Sequence, residues 1–146
     1  MRRTLRIIHV GILLLVTAAV LVQAALAGQF VSGLSNALPA HGAVGGVLEL
    51  IALLLLITAI AHRLSGERAP GVLSGSVVLA LAVEVQAGLG WAPGAVPTAV
   101  HVPLGVAIFA GAVALSTVMV RMVAATRRSA GHHATPVGAR AGGSRP

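Results

Sequence analysis

Four long apolar runs divide the chain, and shorter stretches of polar or small residues separate them. Each run has about 20 residues, the length that an α-helix needs to cross a bilayer core of roughly 30 Å. The pattern therefore predicts four transmembrane helices, and we place them at residues 7–27, 43–61, 71–91 and 101–120. The predicted fold is all-α, a four-helix transmembrane bundle whose membrane domain covers residues 1–125.

The end of the chain has a different composition. From Thr126 onward most residues are polar, Gly or Pro, and a segment of this kind cannot bury enough apolar surface to fold. We therefore expect a disordered cytoplasmic tail over residues 126–146. The neighbouring His132 and His133 are expected to be solvated rather than to hold a metal.

The cationic residues predict the topology. All ten are arginines, and they lie before the first run, between the second and third, and after the fourth: Arg2, Arg3, Arg6, Arg63, Arg68, Arg121, Arg127, Arg128, Arg140 and Arg145. Cytoplasmic loops of membrane proteins collect such residues. Both termini and the middle connection are therefore predicted to be cytoplasmic. This topology explains the net charge of +7 without a nucleic-acid partner.

Composition narrows the biological setting. Arginine without lysine, together with abundant Ala, Gly and Val, is typical of a GC-rich bacterial genome, so we expect the bacterial inner membrane, with the lipid bilayer as the surrounding partner. The chain has no cysteine, which excludes disulfides and thiolate metal sites. It has no phosphate-binding glycine loop, no HExxH motif and no nucleophile elbow, and we do not expect an enzyme on its own.

The two halves of the chain repeat one pattern. The first and third runs close with VQAALAG (22–28) and VQAGLGW (85–91), and the second and fourth open with HGAVGG (41–46) and HVPLGV (101–106). The glutamines Gln23 and Gln86 are 63 residues apart, and the histidines His41 and His101 are 60 apart. The repeat predicts two similar helical hairpins.

The first run has an alternative interpretation. It follows the basic segment MRRTLR and ends with ALA before Gly28, as a signal peptide with an A-x-A cleavage site does. The run is long for the apolar region of a signal peptide, and it forms half of the first hairpin. We therefore expect a retained helix.

Two histidines are candidate haem ligands. His41 and His101 each precede an inner arginine by about 20 residues, which places both at the outer edge of the membrane. Gly45 and Gly105 follow one turn later on the same helix faces, and a missing side chain there would open a slot beside each imidazole. Since haem iron accepts axial imidazoles, the pattern predicts haem b between the second and fourth helices. The alternative is a pair of polar caps at the membrane interface.

Other polar residues lie inside the predicted helices. Glu49 and Glu84 should lie about 10–12 Å below the outer edge and are expected to face the bundle interior, because a carboxyl group facing lipid is costly. They would form a proton or small-molecule pathway, or a hydrogen-bonded pair that fixes helix register. Gln23 and Gln86 lie at similar depth and are expected to join helices.

A further histidine pair lies near the inner edge. His9 and His62 are on neighbouring predicted helices, and each is close to arginines. They could form a second ligand pair, but we expect interfacial caps.

The stretches VQAALAG, AHGAVGGVLELIALLLL and VQAGLG…VHVPLGVAIF resemble a family of small four-helix bacterial membrane proteins of uncharacterised function, over residues 5–122. More remotely, the layout is similar to one half of haem A synthase, in which histidines on the second and fourth helices bind haem. By position, that resemblance implies His41 and His101 as ligands. Here LPA precedes His41, Gly42 follows it, and the external cysteine pair is absent, so haem A synthesis itself is not implied.

Three hypotheses for function follow. The first is a small haem-b-binding membrane protein for electron transfer or haem handling, with a membrane redox partner or as a homo-oligomer. The second is a cofactor-free structural or accessory membrane subunit whose polar residues only set helix packing. The third is a proton or small-molecule pathway through Glu49 and Glu84.

Overall fold

The computed structural model describes residues 2–66 and 69–132, and these form four α-helices without any strand. In chain order the helices are α1 (Arg2–Val31), α2 (Ala37–Leu64), α3 (Pro70–Trp91) and α4 (Ala95–His132). Each is long and apolar enough to cross a membrane. The prediction of an all-α bundle of four membrane-spanning helices is confirmed.

The helices form a closed ring in the described part of the chain. α1 and α3 both pack against α2 and α4, so α1 lies diagonally opposite α3, and α2 opposite α4. Aliphatic and small side chains from all four helices fill the centre, among them Leu13, Val16, Leu48, Ala52, Leu55, Leu79, Val83, Ile108 and Ala112. Large apolar side chains also cover the outside of the ring, as expected for a surface that faces lipid.

One tight turn joins α1 to α2, and another joins α3 to α4. They contain Gly33 and Gly94, whose φ angles are 95° and 110°, a backbone region that glycine adopts without steric cost. These turns connect α1 to α2 (the first hairpin) and α3 to α4 (the second hairpin). We call the end of the bundle that carries them the outer end, following the predicted topology.

The helices extend beyond the predicted spans at the outer end. α2 begins at Ala37 and α4 at Ala95, so His41 and His101 lie in the second turn of their helices and do not open them. Pro103 consequently lies inside α4, where it removes a backbone N–H that an interior turn would use. The apolar run of each helix marks the part that lies in the hydrocarbon core, whereas the helical hydrogen bonds continue beyond that part.

The last helix extends beyond residue 125, the predicted end of the membrane domain. α4 continues to His132, so residues 126–132 are helical. This segment contains Ala and Arg, which favour helix, and it extends a helix that already exists. Residues 133–146, including His133, lie outside the described residues.

Candidate functional site

The outer layer of polar side chains consists of Gln23, His41, Gln86 and His101, one from each helix. His41 Nδ1 lies 3.1 Å from the backbone oxygen of Gln23, and His101 Nδ1 lies 3.0 Å from the backbone oxygen of Gln86. Because a carbonyl only accepts hydrogen bonds, Nδ1 donates in both cases, and the lone pair of a neutral ring is then on Nε2. Both hairpins therefore hold their histidine in the same way.

The two imidazoles meet across the bundle. The ring centres of His41 and His101 are 6.1 Å apart, and the ring planes are inclined by 57°. Their helices are diagonal neighbours, so the rings reach toward each other across the axis. Both residues are half-buried. The predicted convergence is confirmed, and the ligand role stays a prediction.

The spaces beside the two glycines are filled by glutamine side chains. A Cβ atom added to Gly45 would lie 3.0 Å from Nε2 of Gln23, and one added to Gly105 would lie 3.1 Å from Nε2 of Gln86. The expectation of an open slot beside each imidazole was therefore wrong. A missing Cβ lets a neighbouring helix approach closely, and here it gives room to an amide from that helix.

The amides of the outer layer are incompletely hydrogen-bonded. Oε1 of Gln23 and Oε1 of Gln86 are both buried, and neither has a hydrogen-bond partner among the described residues. Buried amide oxygens normally have a partner. The outer layer thus holds two acceptors that a donor from outside the described chain could satisfy.

Sequence reasoning missed Gly90. A Cβ atom there would come within 3.2 Å of His101 Cε1, so this glycine provides the room that the ring occupies. Gly90 lies one turn after Gln86 on the same helix. The repeat does not reveal it, because the corresponding residue of the first hairpin is Ala27.

The two glutamates do not both face the interior. Glu84 is exposed on the outside of α3, whereas Glu49 is half-buried. α3 buries Val83, and the next residue along a helix points about 100° away, which directs Glu84 to the flank. The predicted interior orientation was wrong for Glu84. An interior pathway lined by both carboxyl groups is therefore not supported.

The inner layer consists of His9, Thr58, His62 and Ser76. His9 is completely buried, with Nδ1 2.8 Å from Oγ1 of Thr58 and Nε2 3.3 Å from Oγ of Ser76. The ring of His62, also buried, packs edge-on against that of His9, with centres 5.4 Å apart. The layer connects α1, α2 and α3.

The expectation that His9 and His62 cap the membrane interface was wrong. His9 lies on the same helix face as the buried Leu13 and Val16, and His62 on the same face as Leu55 and Ala59, as the helical period predicts. Both nitrogens of His9 face hydroxyl groups. Within the described residues, no group of three or more His, Cys, Asp or Glu side chains could hold a metal ion.

We compared the chain with protein-family models, curated proteins and solved structures, and none of the three comparisons found a match.

Proposed function

We propose that this integral membrane protein binds haem b between α2 and α4, with His41 and His101 as axial ligands, for electron transfer or haem handling. The observation that carries the proposal is the pair of opposed imidazoles, whose ring centres are 6.1 Å apart. When bound, haem would supply one-electron redox chemistry. The chain's own residues would hold and orient it.

The hydrogen bonds of the two rings support a ligand role. Metal-binding histidines usually donate their second ring N–H to a carbonyl or carboxylate, which fixes the tautomer and the ring orientation. His41 and His101 do so with the backbone oxygens of Gln23 and Gln86. Nε2 of each ring is thereby left as the nitrogen able to bind iron.

The ring separation is compatible with one shared metal ion. Two imidazoles that bind one metal through nitrogen atoms at about 2 Å have ring centres about 5–6 Å apart, and those of His41 and His101 are 6.1 Å apart. The described residues offer no group of three or more His, Cys, Asp or Glu side chains for a metal ion. His41 and His101 would be enough for haem iron, because the macrocycle supplies the remaining ligands.

The haem macrocycle would need space that side chains of the outer layer occupy. The amides of Gln23 and Gln86 occupy the spaces beside Gly45 and Gly105, so haem binding requires these two side chains to move. Their unpartnered oxygens mean that this movement breaks no hydrogen bond at Oε1. The amides of Gln23 and Gln86 are therefore the groups that must rearrange.

The packed amides also favour a second candidate function, a structural or accessory membrane subunit without a cofactor. In that case the histidine and glutamine of each hairpin would only hold its two helices together. The observation that favours this second candidate is the packing of Gln23 on Gly45 and of Gln86 on Gly105.

The absorption spectrum of the purified protein separates the two candidates. Protein from haem-replete cells should show a Soret band that shifts on reduction, and His41→Ala or His101→Ala should each remove or alter it. His62→Ala is the matched control, because it changes a histidine of the inner layer and should leave the band in place. A colourless wild type that also fails to bind added haemin would favour the structural subunit.

The location and the partners belong to the same proposal. Arginine without lysine, together with abundant Ala, Gly and Val, supports a bacterial inner-membrane protein. The positions of the arginines support cytoplasmic termini. A bundle of this size with one haem would exchange electrons with a membrane redox partner, which could be another protein or a second copy of the chain.

A further inference from the structure

An apolar groove lies between α1 and α4 at the inner end of the bundle, opposite the turns of the two hairpins. It has a volume of about 290 Å³ and is lined by Ile7, Val10, Val120, Val123 and Ala124. Ile7 and Val120 are 46% and 48% exposed, so the groove opens to the outside. They are also the innermost residues of their apolar runs, which places the groove at the cytoplasmic edge of the hydrocarbon core. We call it the α1–α4 groove.

The apolar surface of the groove continues along α1 toward the centre of the membrane. Gly11 follows Ile7 by one turn on the same helix face, and a Cβ atom added to Gly11 would meet no atom within 4 Å. Leu14, a further turn along, is 53% exposed. The open surface is thus elongated in the direction that a lipid acyl chain takes in a bilayer.

Positive charge lies at the cytoplasmic rim of the groove. Arg3 precedes Ile7 by four residues, one turn nearer the cytoplasm on the same face of α1, and it is exposed. Arg127 has the corresponding position on α4, four residues after Val123. Neither α1 nor α4 contains an acidic residue. The groove therefore combines apolar walls with a cationic rim one turn further out of the hydrocarbon core.

We propose that the α1–α4 groove binds one anionic phospholipid of the cytoplasmic leaflet, with an acyl chain against the apolar walls and the phosphate at Arg3. A guanidinium group matches the geometry of a phosphate and binds it through two hydrogen bonds. Arg3 lies about 6 Å beyond Ile7 along the helix, at the level of the lipid headgroups. Anionic lipids of the cytoplasmic leaflet attract basic residues at this level, whereas the cation of a zwitterionic headgroup would be repelled.

The charge at the rim favours this occupant over two others. A second copy of the chain in the same orientation would bring its own arginines to the same depth, and like charges would then face each other. A neutral apolar ligand such as a quinone would fill the groove without using the charge. The inference does not depend on haem or on the outer layer.

Native mass spectrometry of the full chain in detergent tests the charge preference. Titrations with phosphatidylglycerol and with phosphatidylcholine of identical acyl chains should show one bound phosphatidylglycerol, held about tenfold more tightly than phosphatidylcholine. Arg3→Gln should weaken the binding of phosphatidylglycerol about fivefold. Arg63→Gln is the matched control, because it removes a charge at the inner end from α2, which does not line the groove. Equal affinities for the two lipids, or equal losses in the two variants, would overturn the proposal.

A second substitution tests the groove itself. Ala124→Leu fills part of it and should weaken the binding of both lipids about tenfold, because the acyl chain loses apolar contact. Ala110→Leu, at an exposed position of α4 about 20 Å nearer the outer end, should leave both affinities unchanged. Circular dichroism should show both variants to be folded. Unchanged lipid binding by Ala124→Leu, a dimer that this substitution dissociates, or a quinone bound in place of the phospholipid would contradict the inference.

Discussion

At the scale of single residues, one unit of three side chains explains the outer layer. In each hairpin a histidine donates to the backbone oxygen of a glutamine, and the amide of that glutamine fills the space of a glycine one turn after the histidine. The unit ties the two helices of a hairpin together at two points. It also makes Nε2 the nitrogen that carries the lone pair of each neutral ring.

Replacing the glycine should disturb the glutamine. Gly45→Ala places a methyl group 3.0 Å from Nε2 of Gln23. The amide must shift to make room, and this loss in the free energy of unfolding opposes the gain of about 1 kcal/mol that alanine brings over glycine inside a helix. The double variant Gly45→Ala with Gln23→Ala should recover part of that loss, because the clashing group is gone. Denaturant titration in mixed micelles measures all the variants. Gly46→Ala, with no atom near the added methyl, is the control, and a loss as large there would refute the argument.

The buried histidine of the inner layer depends on its hydroxyl partners. Thr58→Val keeps the shape of the side chain but removes the oxygen 2.8 Å from Nδ1 of His9, and leaving a buried polar group unpaired costs about 1 kcal/mol or more. We expect a corresponding loss in the free energy of unfolding. Thr117→Val is the matched control, since Thr117 is exposed and bonds to the backbone of Val113. Equal effects of the two changes would show that the contact with His9 adds no stability.

At the scale of the helices, the sequence predicts their number and approximate positions because the bilayer sets both the length and the apolar character of a span. It does not predict which face is buried. Lipid is as apolar as a protein core, so Val83, which is buried, and Val85, which is exposed, look alike in the sequence. For this reason the orientation of Glu84 was mispredicted, although its depth follows from the run that contains it.

The candidate site was predictable to the same extent. Depth and repetition bring His41 and His101 together, and the structure agrees. The occupation of the glycine spaces by amides depends on side-chain packing, which spacing does not specify. The hydrogen-bond partners of His9 could not be predicted from the sequence either. Serine and threonine occur throughout membrane helices and donate to their own backbone, as Ser76 does.

The continuity of α1 leads to a prediction about processing. α1 passes through Gly28 without a break and supplies His9, Leu13 and Val16 to the bundle interior. Cleavage before Gly28 would remove all three and leave Thr58 without its imidazole contact. We therefore expect intact-mass spectrometry of the purified protein to find the segment before Gly28 still attached. A mature N-terminus at Gly28 would contradict both the retained helix and the duplicated hairpin.

At the scale of the whole molecule, the bundle is two similar hairpins packed side by side around an apolar centre. Each hairpin contributes one imidazole to the outer layer, whereas the inner layer draws its members from α1, α2 and α3. Among the described residues, the buried side chains between the two layers are aliphatic or small. Any reactant that binds at the outer layer is therefore expected to reach it through the outer end of the bundle or from the lipid.

The orientation of the bundle determines which side of the membrane can reach the outer layer. The arginines predict that the turns of the two hairpins face away from the cytoplasm. Cysteines introduced at Ser35 and Ala92, both exposed in these turns, should react with an impermeant maleimide added to intact spheroplasts. A cysteine at Leu64, which is 82% exposed at the opposite end, should react only after the membrane is opened. The unsubstituted chain has no cysteine and sets the background. The reverse pattern of labelling would place the outer layer on the cytoplasmic side and contradict the arginine argument.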